Sequence, residues 1–338
     1  MKKLLALTAF LMPGIIAGAS QRLLPVTTFN TQIIIGLDSA AAPVMAYYGP
    51  VVKGDPAQAT LSAEGSLPAL YPVYGNYPEG ESALSITMPD GNMTLDLVSA
   101  GEPVTEVDHN GNTLTTIPLA DRHYPVTVTL NYLAYPKEDV IETWAEITNN
   151  GKKPVTMTRF ESASLPFRSD DAWMTSLYGT WANEGRVNTE RLTPGMKVIQ
   201  NKDGVRNSHT SHAEVMLSLD GKPAETSGRV IGAALLYGGN YRLRTVTDDH
   251  GTHRFFAGIH PDESAWRLMP GETFVTPALA LTYSDKGIGE VSRNFHRWGR
   301  LYHLAHGTEV NPILLNSWEG VYFNIDEPKM AAMMQDIA

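Results

Sequence analysis

From about Thr28 to Ser284 apolar residues recur mainly at every second position, and from Asp285 onward they recur at every third or fourth. The first pattern is that of a strand with one buried face, and the second is that of a helix. Val126-Thr127-Val128-Thr129-Leu130 alternates strictly, and so does Val155-Thr156-Met157-Thr158 after the turn Asn149-Asn150-Gly151-Lys152. Val140–Ile147, with Trp144, continues the alternation between them. Ala83–Met88 and Met93–Leu97 read as a hairpin across Pro89-Asp90-Gly91-Asn92. Arg229–Tyr237 and Tyr241–Thr247 flank the tight turn Gly238-Gly239-Asn240, and Phe274–Tyr283 reads as one further strand. No repeat of solenoid or propeller length is present. So many short strands with almost no helical periodicity predict a mainly β fold of two large packed sheets, its core complete by about Ser284.

After Ser284 the period changes. Val291, Phe295, Trp298 and Tyr302 fall on one helical face. Asp285 is placed to cap the start, Arg297, Arg300, His303 and His306 suit the negative end of the dipole, and Gly307 closes the helix. Ile313–Leu315 then reads as a short buried strand, and Pro328 opens a helix over Lys329–Ala338. This tail is a single βα unit. A parallel strand needs parallel neighbours under helices, and a barrel of such units takes ~250 residues. The tail is therefore expected to open a domain that continues in a longer protein.

At the other end, Lys2 and Lys3 precede an apolar run from Leu4 to Ile16, and Ala17-Gly18-Ala19 has signal-peptidase spacing. The run is shorter than the ~20 residues that span a bilayer. Cleavage after Ala19 and a periplasmic or secreted location are expected. With no cysteine in the chain, neither a lipid anchor on cysteine nor a disulfide framework is available. The formal net charge is −10, without a basic run, which disfavours nucleic acid and anionic membranes as partners. A neutral polar ligand such as a sugar carries no such penalty.

The stretch that carries the most chemistry is Pro312-Ile313-Leu314-Leu315-Asn316-Ser317-Trp318-Glu319-Gly320-Val321-Tyr322-Phe323. It resembles the first barrel strand of the α-galactosidases of glycoside hydrolase family 36, Pro-Val-Leu-x-Asn-Thr-Trp-Glu-Ala-x-Tyr-Phe. Tyr178–Glu184, Trp266–Gly287 and Asp139–Arg159 are similar to further family segments and occur in the family's order. After the signal peptide expected at 1–19, the resemblance implies a β-supersandwich over 20–285, a linker helix over 286–308, and over 309–338 the first βα unit of an incomplete (β/α)8 barrel. It implies α-galactoside oligosaccharides as ligands, no cofactor or metal, and membership of a family in which homo-oligomers occur.

Retaining glycoside hydrolysis needs two carboxyls about 5–5.5 Å apart. In the family both are aspartates on later barrel strands, beyond residue 338, so no catalytic residue is assigned here, and neither Glu319 nor Asp326 is promoted to the role. The resemblance places Trp318 in the wall of the galactose pocket, where an indole gives a sugar's C–H face an apolar platform. Its alternative is ordinary packing under a loop. Tyr322 and Glu319 are weaker substrate-binding candidates, and Asn316 is suited to orienting the loop. The pairs His209/His212, His250/His253 and His303/His306 each supply only half a zinc site and read as solvated or linker-helix residues. Trp144, Trp173, Trp181 and Trp266 read as sandwich core or interface, and the sequon Asn92-Met93-Thr94 lies in a tight turn.

Two functions remain open at this level. One is an exo-acting α-galactosidase represented by its N-terminal part. The other is a non-catalytic carbohydrate-binding or assembly module that kept the sandwich. A free-standing sandwich enzyme such as an epimerase needs a carboxylate and a histidine on one concave sheet, and the sequence presents no persuasive pair.

Overall fold

The computed structural model describes residues 23–55, 67–75, 80–206 and 209–337. The segment assigned to a signal peptide lies outside the described residues. The chain divides into two compact units, one ending at Trp298 and one spanning Gly299–Ala338.

The first unit is built of strands, as the alternation predicts. β1 (Leu24–Thr27), β2 (Thr31–Leu37) and β3 (Pro43–Pro50) form a small antiparallel sheet. The largest sheet has 11 strands. They are β5 (Leu97–Ser99), β6 (Val104–Val107), β7 (Thr113–Asp121), β8 (Val126–Tyr135), β9 (Val140–Asn149), β11 (Trp173–Tyr178), β12 (Arg186–Arg191), β14 (Ser211–Ser218), β15 (Val230–Leu235), β19 (Thr273–Val275) and β20 (Leu279–Ser284). A sheet of 6 strands joins β4 (Leu84–Thr87), β10 (Val155–Arg168), β13 (Gly195–Asn201), β16 (Tyr241–Thr247), β17 (Thr252–Ile259) and β18 (Trp266–Leu268). One apolar core draws on all three sheets, with Ile33 from the small one, Val128, Ile147 and Leu279 from the largest, and Phe160, Leu243 and Phe256 from the third. This is the expected sandwich.

The pairings differ from the expected hairpins. The turn at Pro89–Asn92 forms, with Met88 and Asn92 bonded and Gly91 at φ +87°. Beyond it the two arms part. Leu84 pairs with Phe160 of β10, whereas Leu97 pairs with Asp121 of β7. The Leu95 N–H goes to the Tyr74 carbonyl and the Asp96 N–H to the Asp121 carboxylate, which leaves no ladder for a hairpin. Gly238-Gly239-Asn240 likewise crosses between sheets rather than closing a hairpin, because β15 belongs to the largest sheet and β16 to the six-stranded one. Phe274–Tyr283 is two strands, both paired with β9 and separated at Thr276-Pro277, where the Thr276 side chain accepts the Ala145 N–H at 3.0 Å. Proline has no donor for a ladder, so the strand breaks there.

Helix α1 (Gly287–Trp298) continues the first unit and passes into one π turn, Gly299–His303. Val291 and Trp298 are fully buried, so the core is not complete at Ser284 and includes this helix. A Cβ on Gly232 of β15 would sit 2.5 Å from Val291 Cγ1 and 2.7 Å from Phe295 Cε2, which is the closeness of the helix to the sheet. The expected cap at Asp285 is replaced by backbone. The N–H groups of Gly287, Ile288 and Gly289 bond the carbonyls of Gly228, Ala224 and Glu225, each at 3.0 Å. Gly287 lies at φ +77°, and a Cβ there would be 2.4 Å from the Ala224 carbonyl oxygen, so only glycine seats the helix this way.

In the second unit the strand expected at Ile313–Leu315 is absent. The stretch is without regular structure, and Ile313 and Leu314 are exposed. A strand exists only through its ladder, and no described residue pairs with this one. The helix expected after it does form, as α3 (Glu327–Ile337), preceded by the one-turn α2 (Trp318–Val321). Asp326 caps α3 by accepting the Lys329 N–H at 2.9 Å.

Candidate functional site

The sugar-facing candidates lie in and just after α2. Asn316 Oδ1 accepts the Trp318 N–H at 2.9 Å, so Asn316 orients the loop as its residue type suggested. Trp318 meets Tyr322 edge-to-face at 5.5 Å between ring centroids and Phe323 at 4.9 Å. Tyr322 sits at φ 47°, its N–H bonded to the Trp318 carbonyl at 2.9 Å. That turn swings Tyr322 and Phe323 back onto the indole. Trp318, Tyr322 and Phe323 all remain exposed, and Glu319 is exposed beside them. The structure thus brings together two of the three candidates and adds Phe323, whose aromatic character alone did not single it out. An indole packed against two rings and still 45% exposed has apolar surface left for a C–H face of a sugar.

In the sandwich, two shallow clefts adjoin. One of roughly 440 Å³ is lined by Ser176, Tyr178, Asn188, Lys197 and Gln200 among others. The other, of roughly 490 Å³, is lined by Thr180, Trp181, Asp203, Arg206, His209 and Thr210. Trp181, expected in core or interface, is 82% exposed in the turn after β11. Trp266 is also half exposed, while its ring leans on Phe274 at 5.1 Å.

The buried charges are what sequence reasoning missed. Glu161 on β10 and Arg244 on β16 are each 1% exposed and meet at 3.2 Å. Arg244 also bonds Glu81 at 3.1 Å and the Ser82 carbonyl at 3.0 Å, while Phe256 lies under its guanidinium at 3.8 Å. Arg159 joins at 2.8 Å from Glu81. Burial pushes the Glu161 carboxyl up, and the guanidinium charges of Arg244 and Arg242 pull it back. The signal was present as arginines at alternate positions in Tyr241-Arg242-Leu243-Arg244, which puts both on one face of an otherwise apolar strand. His253 corrects the reading of solvated histidines. It is buried and stacked on Phe167, with Nδ1 2.9 Å from Thr247 Oγ1 and Nε2 donating to the Ser169 carbonyl at 3.0 Å. Among the described residues no group of three or more His, Cys, Asp or Glu is placed to hold a metal.

Against this geometry stand the known proteins. The pattern of the glycosyl hydrolase family 36 N-terminal domain matches residues 41–269, and the melibiase pattern matches residues 273–338. The chain belongs to glycosyl hydrolase family 36. The second match contains the aromatic group of Trp318, Tyr322 and Phe323. This family-36 chain is 32% identical over 301 residues to alpha-galactosidase AgaA of Geobacillus stearothermophilus, covering 84% of the chain and 41% of the relative. It is 31% identical over 240 residues to alpha-galactosidase C of Emericella nidulans, covering 70% of the chain and 32% of the relative. The chain therefore spans less than half the length of these relatives. Among solved structures, an alpha-galactosidase from Lactobacillus brevis superposes with a TM-score of 0.83 at 25% identity, over 95% of this chain and 47% of that one. A variant of the Geobacillus stearothermophilus enzyme in complex with stachyose superposes with a TM-score of 0.81 at 27% identity, over 92% and 48%.

Proposed function

We propose that the chain is the N-terminal part of a retaining exo-α-galactosidase that hydrolyses terminal α-galactosides of oligosaccharides. The observation that carries this reading is the pair of successive family matches, one over the sandwich and the next over the segment that holds Trp318. In this reading the sandwich is the scaffold. Trp318 is the wall on which the sugar's apolar face stacks, Tyr322 and Phe323 fix its ring, and Glu319 is a neighbouring polar contact. The nucleophile and the acid/base belong to later barrel strands. Raffinose- and stachyose-like sugars are the substrate class, in line with the stachyose complex of a relative. Export under the leader at residues 1–19 places the enzyme in the periplasm or outside the cell, and N-terminal sequencing of exported protein should then begin at Ser20. A homo-oligomer is part of the same proposal.

The test is hydrolysis of a nitrophenyl α-galactoside. The complete protein should turn it over, and the purified 338-residue chain alone should not, because the two carboxyls of the mechanism are contributed elsewhere. A complete protein that binds raffinose without hydrolysing it would replace this reading with that of a carbohydrate-binding module. Activity that follows the 338-residue chain through purification would require a catalytic carboxylate within it.

A further inference from the structure

We infer that His260, at the exit of β17, is an acid-sensitive clasp for the turn 260–263 and, through it, for the loop 202–206 that lines one cleft of the sandwich. Its ring is 2% exposed, and both nitrogens are engaged. Nδ1 accepts the backbone N–H of Asp262 at 3.1 Å, and Nε2 lies 2.8 Å from Gln200 Oε1. A backbone N–H only donates, so Nδ1 carries no proton. The neutral imidazole then carries its proton on Nε2, which donates to Gln200 Oε1.

A second proton has one place to go. It must sit on Nδ1 and point at the Asp262 N–H, setting two donors face to face. The ring can accept it only if the turn 260–263 moves away, and that turn already holds Glu263 at φ 57°. The charged groups around the ring are Lys202 from the segment after β13, Arg242 from β16, and Asp262 and Glu263 from the turn itself. Burial, then Lys202 and Arg242, hold the imidazole below its ordinary range, while the two carboxylates oppose them.

What the clasp holds is specific. Gln200 lines one cleft, while Asp203 and Arg206 face Trp181 in the other. Gln200 and Asn201 are already held in the ladder of β13 with β16, and the Ser211 hydroxyl donates to the Gln200 carbonyl, so what depends on the turn is the loop 202–206. Asn201 Nδ2 donates to the Gly204 and Gly239 carbonyls, the Gly204 N–H donates to Asn240 Oδ1 at 2.7 Å, and Lys202 pairs with Asp262 at 2.8 Å in an exposed bridge. That bridge is anchored on the same turn that protonation displaces. Acid therefore loosens the turn and with it the Lys202 bridge, while the Nε2–H bond to Gln200 Oε1 remains.

Hydrogen exchange of the full chain, corrected for intrinsic rates, tests this. Opening coupled to one proton rises about tenfold per pH unit between the ordinary histidine value near 6.5 and the lower folded value. Peptides covering 202–206 and 259–263 should lose protection at up to roughly that slope from pH 7.5 to 5, while β9 stays protected, and His260→Gln should flatten the slope. Unchanged protection in the wild type, or an equal slope in the variant, would overturn the clasp. If the variant does not fold, ¹⁵N NMR of the wild-type ring decides. An Nε2–H tautomer that gives way to imidazolium together with loss of protection supports it. A ring that titrates near 6.5 while the loop stays protected refutes it.

Discussion

Arg244→Ala would leave Glu161 buried without the guanidinium 3.2 Å away, with Arg242 at 3.7 Å as its remaining cation, while Glu81 and the Ser82 carbonyl keep Arg159. Removing one member of a buried ion pair costs about 3–5 kcal/mol, because the remaining charge stays in a low dielectric. Urea unfolding should show the loss, and a midpoint within error of wild type would mean that Glu161 does not depend on Arg244. At Gly232 the penalty is steric. Gly232→Ala places a methyl 2.5 Å from Val291 Cγ1, and overpacking of this kind costs about 1–3 kcal/mol. Trp318→Ala in the complete protein should act on chemistry instead. The loss of a stacking platform, about 1–3 kcal/mol, predicts a roughly 10- to 100-fold fall in kcat/KM with little change in Tm. Unchanged kinetics with a lowered Tm would make Trp318 a packing residue.

At the scale of elements, the β16–β17 hairpin has a buried neutral histidine near each end. Burial holds both His253 and His260 below their ordinary range. A group whose folded value is depressed contributes stability that is present above its unfolded value and is lost as pH falls through the folded one. Unfolding should therefore become easier as pH drops below about 6.5. Tm measured at pH 7.5 and 5.5 should fall in the wild type and fall less in a His253→Gln/His260→Gln variant, and equal falls would exclude these two residues as the cause. Neither histidine stood out beforehand, because a histidine on an alternating strand reads the same whether its ring is buried or solvated. The strands themselves were legible, as was α1 from Val291, Phe295 and Trp298. Their partners were not. Period two reports which face a residue takes and says nothing of which sheet the strand joins, so Ala83–Met88 and Met93–Leu97 looked like a hairpin and lie in different sheets. Ile313–Leu315 shows the complementary limit, since an apolar run specifies a strand only where a ladder receives it. Trp318 was legible through its resemblance to a family motif, whereas Phe323's place against it needed the turn at Tyr322.

For the whole molecule, the boundary at Trp298 predicts where the chain tolerates shortening. A chain ending at Trp298 keeps α1 on β15 and should retain the β-rich circular dichroism and the Tm. It should also be more soluble, because Val310, Ile313, Leu314 and Phe323 are all more than four-fifths exposed and form an association surface. Ending at Lys286 instead removes Val291 and Trp298 from the core and should lower Tm, and equal Tm values for the two forms would show α1 to be dispensable. The place of β20 has a kinetic consequence. It is the last strand of the sandwich to leave the ribosome, yet it lies in the middle of the largest sheet, between β15 and β9. Until Leu279–Ser284 is made, the halves on either side have no common strand, β15 presents a bare edge, and so does β9 over Val140–Thr143. Pairings over such sequence separations make folding slow, on the order of milliseconds to seconds or longer, and expose intermediates to aggregation. The nascent chain is most vulnerable just before its sheet can close, so holding those two edges apart during synthesis is the task a chaperone would meet in this protein.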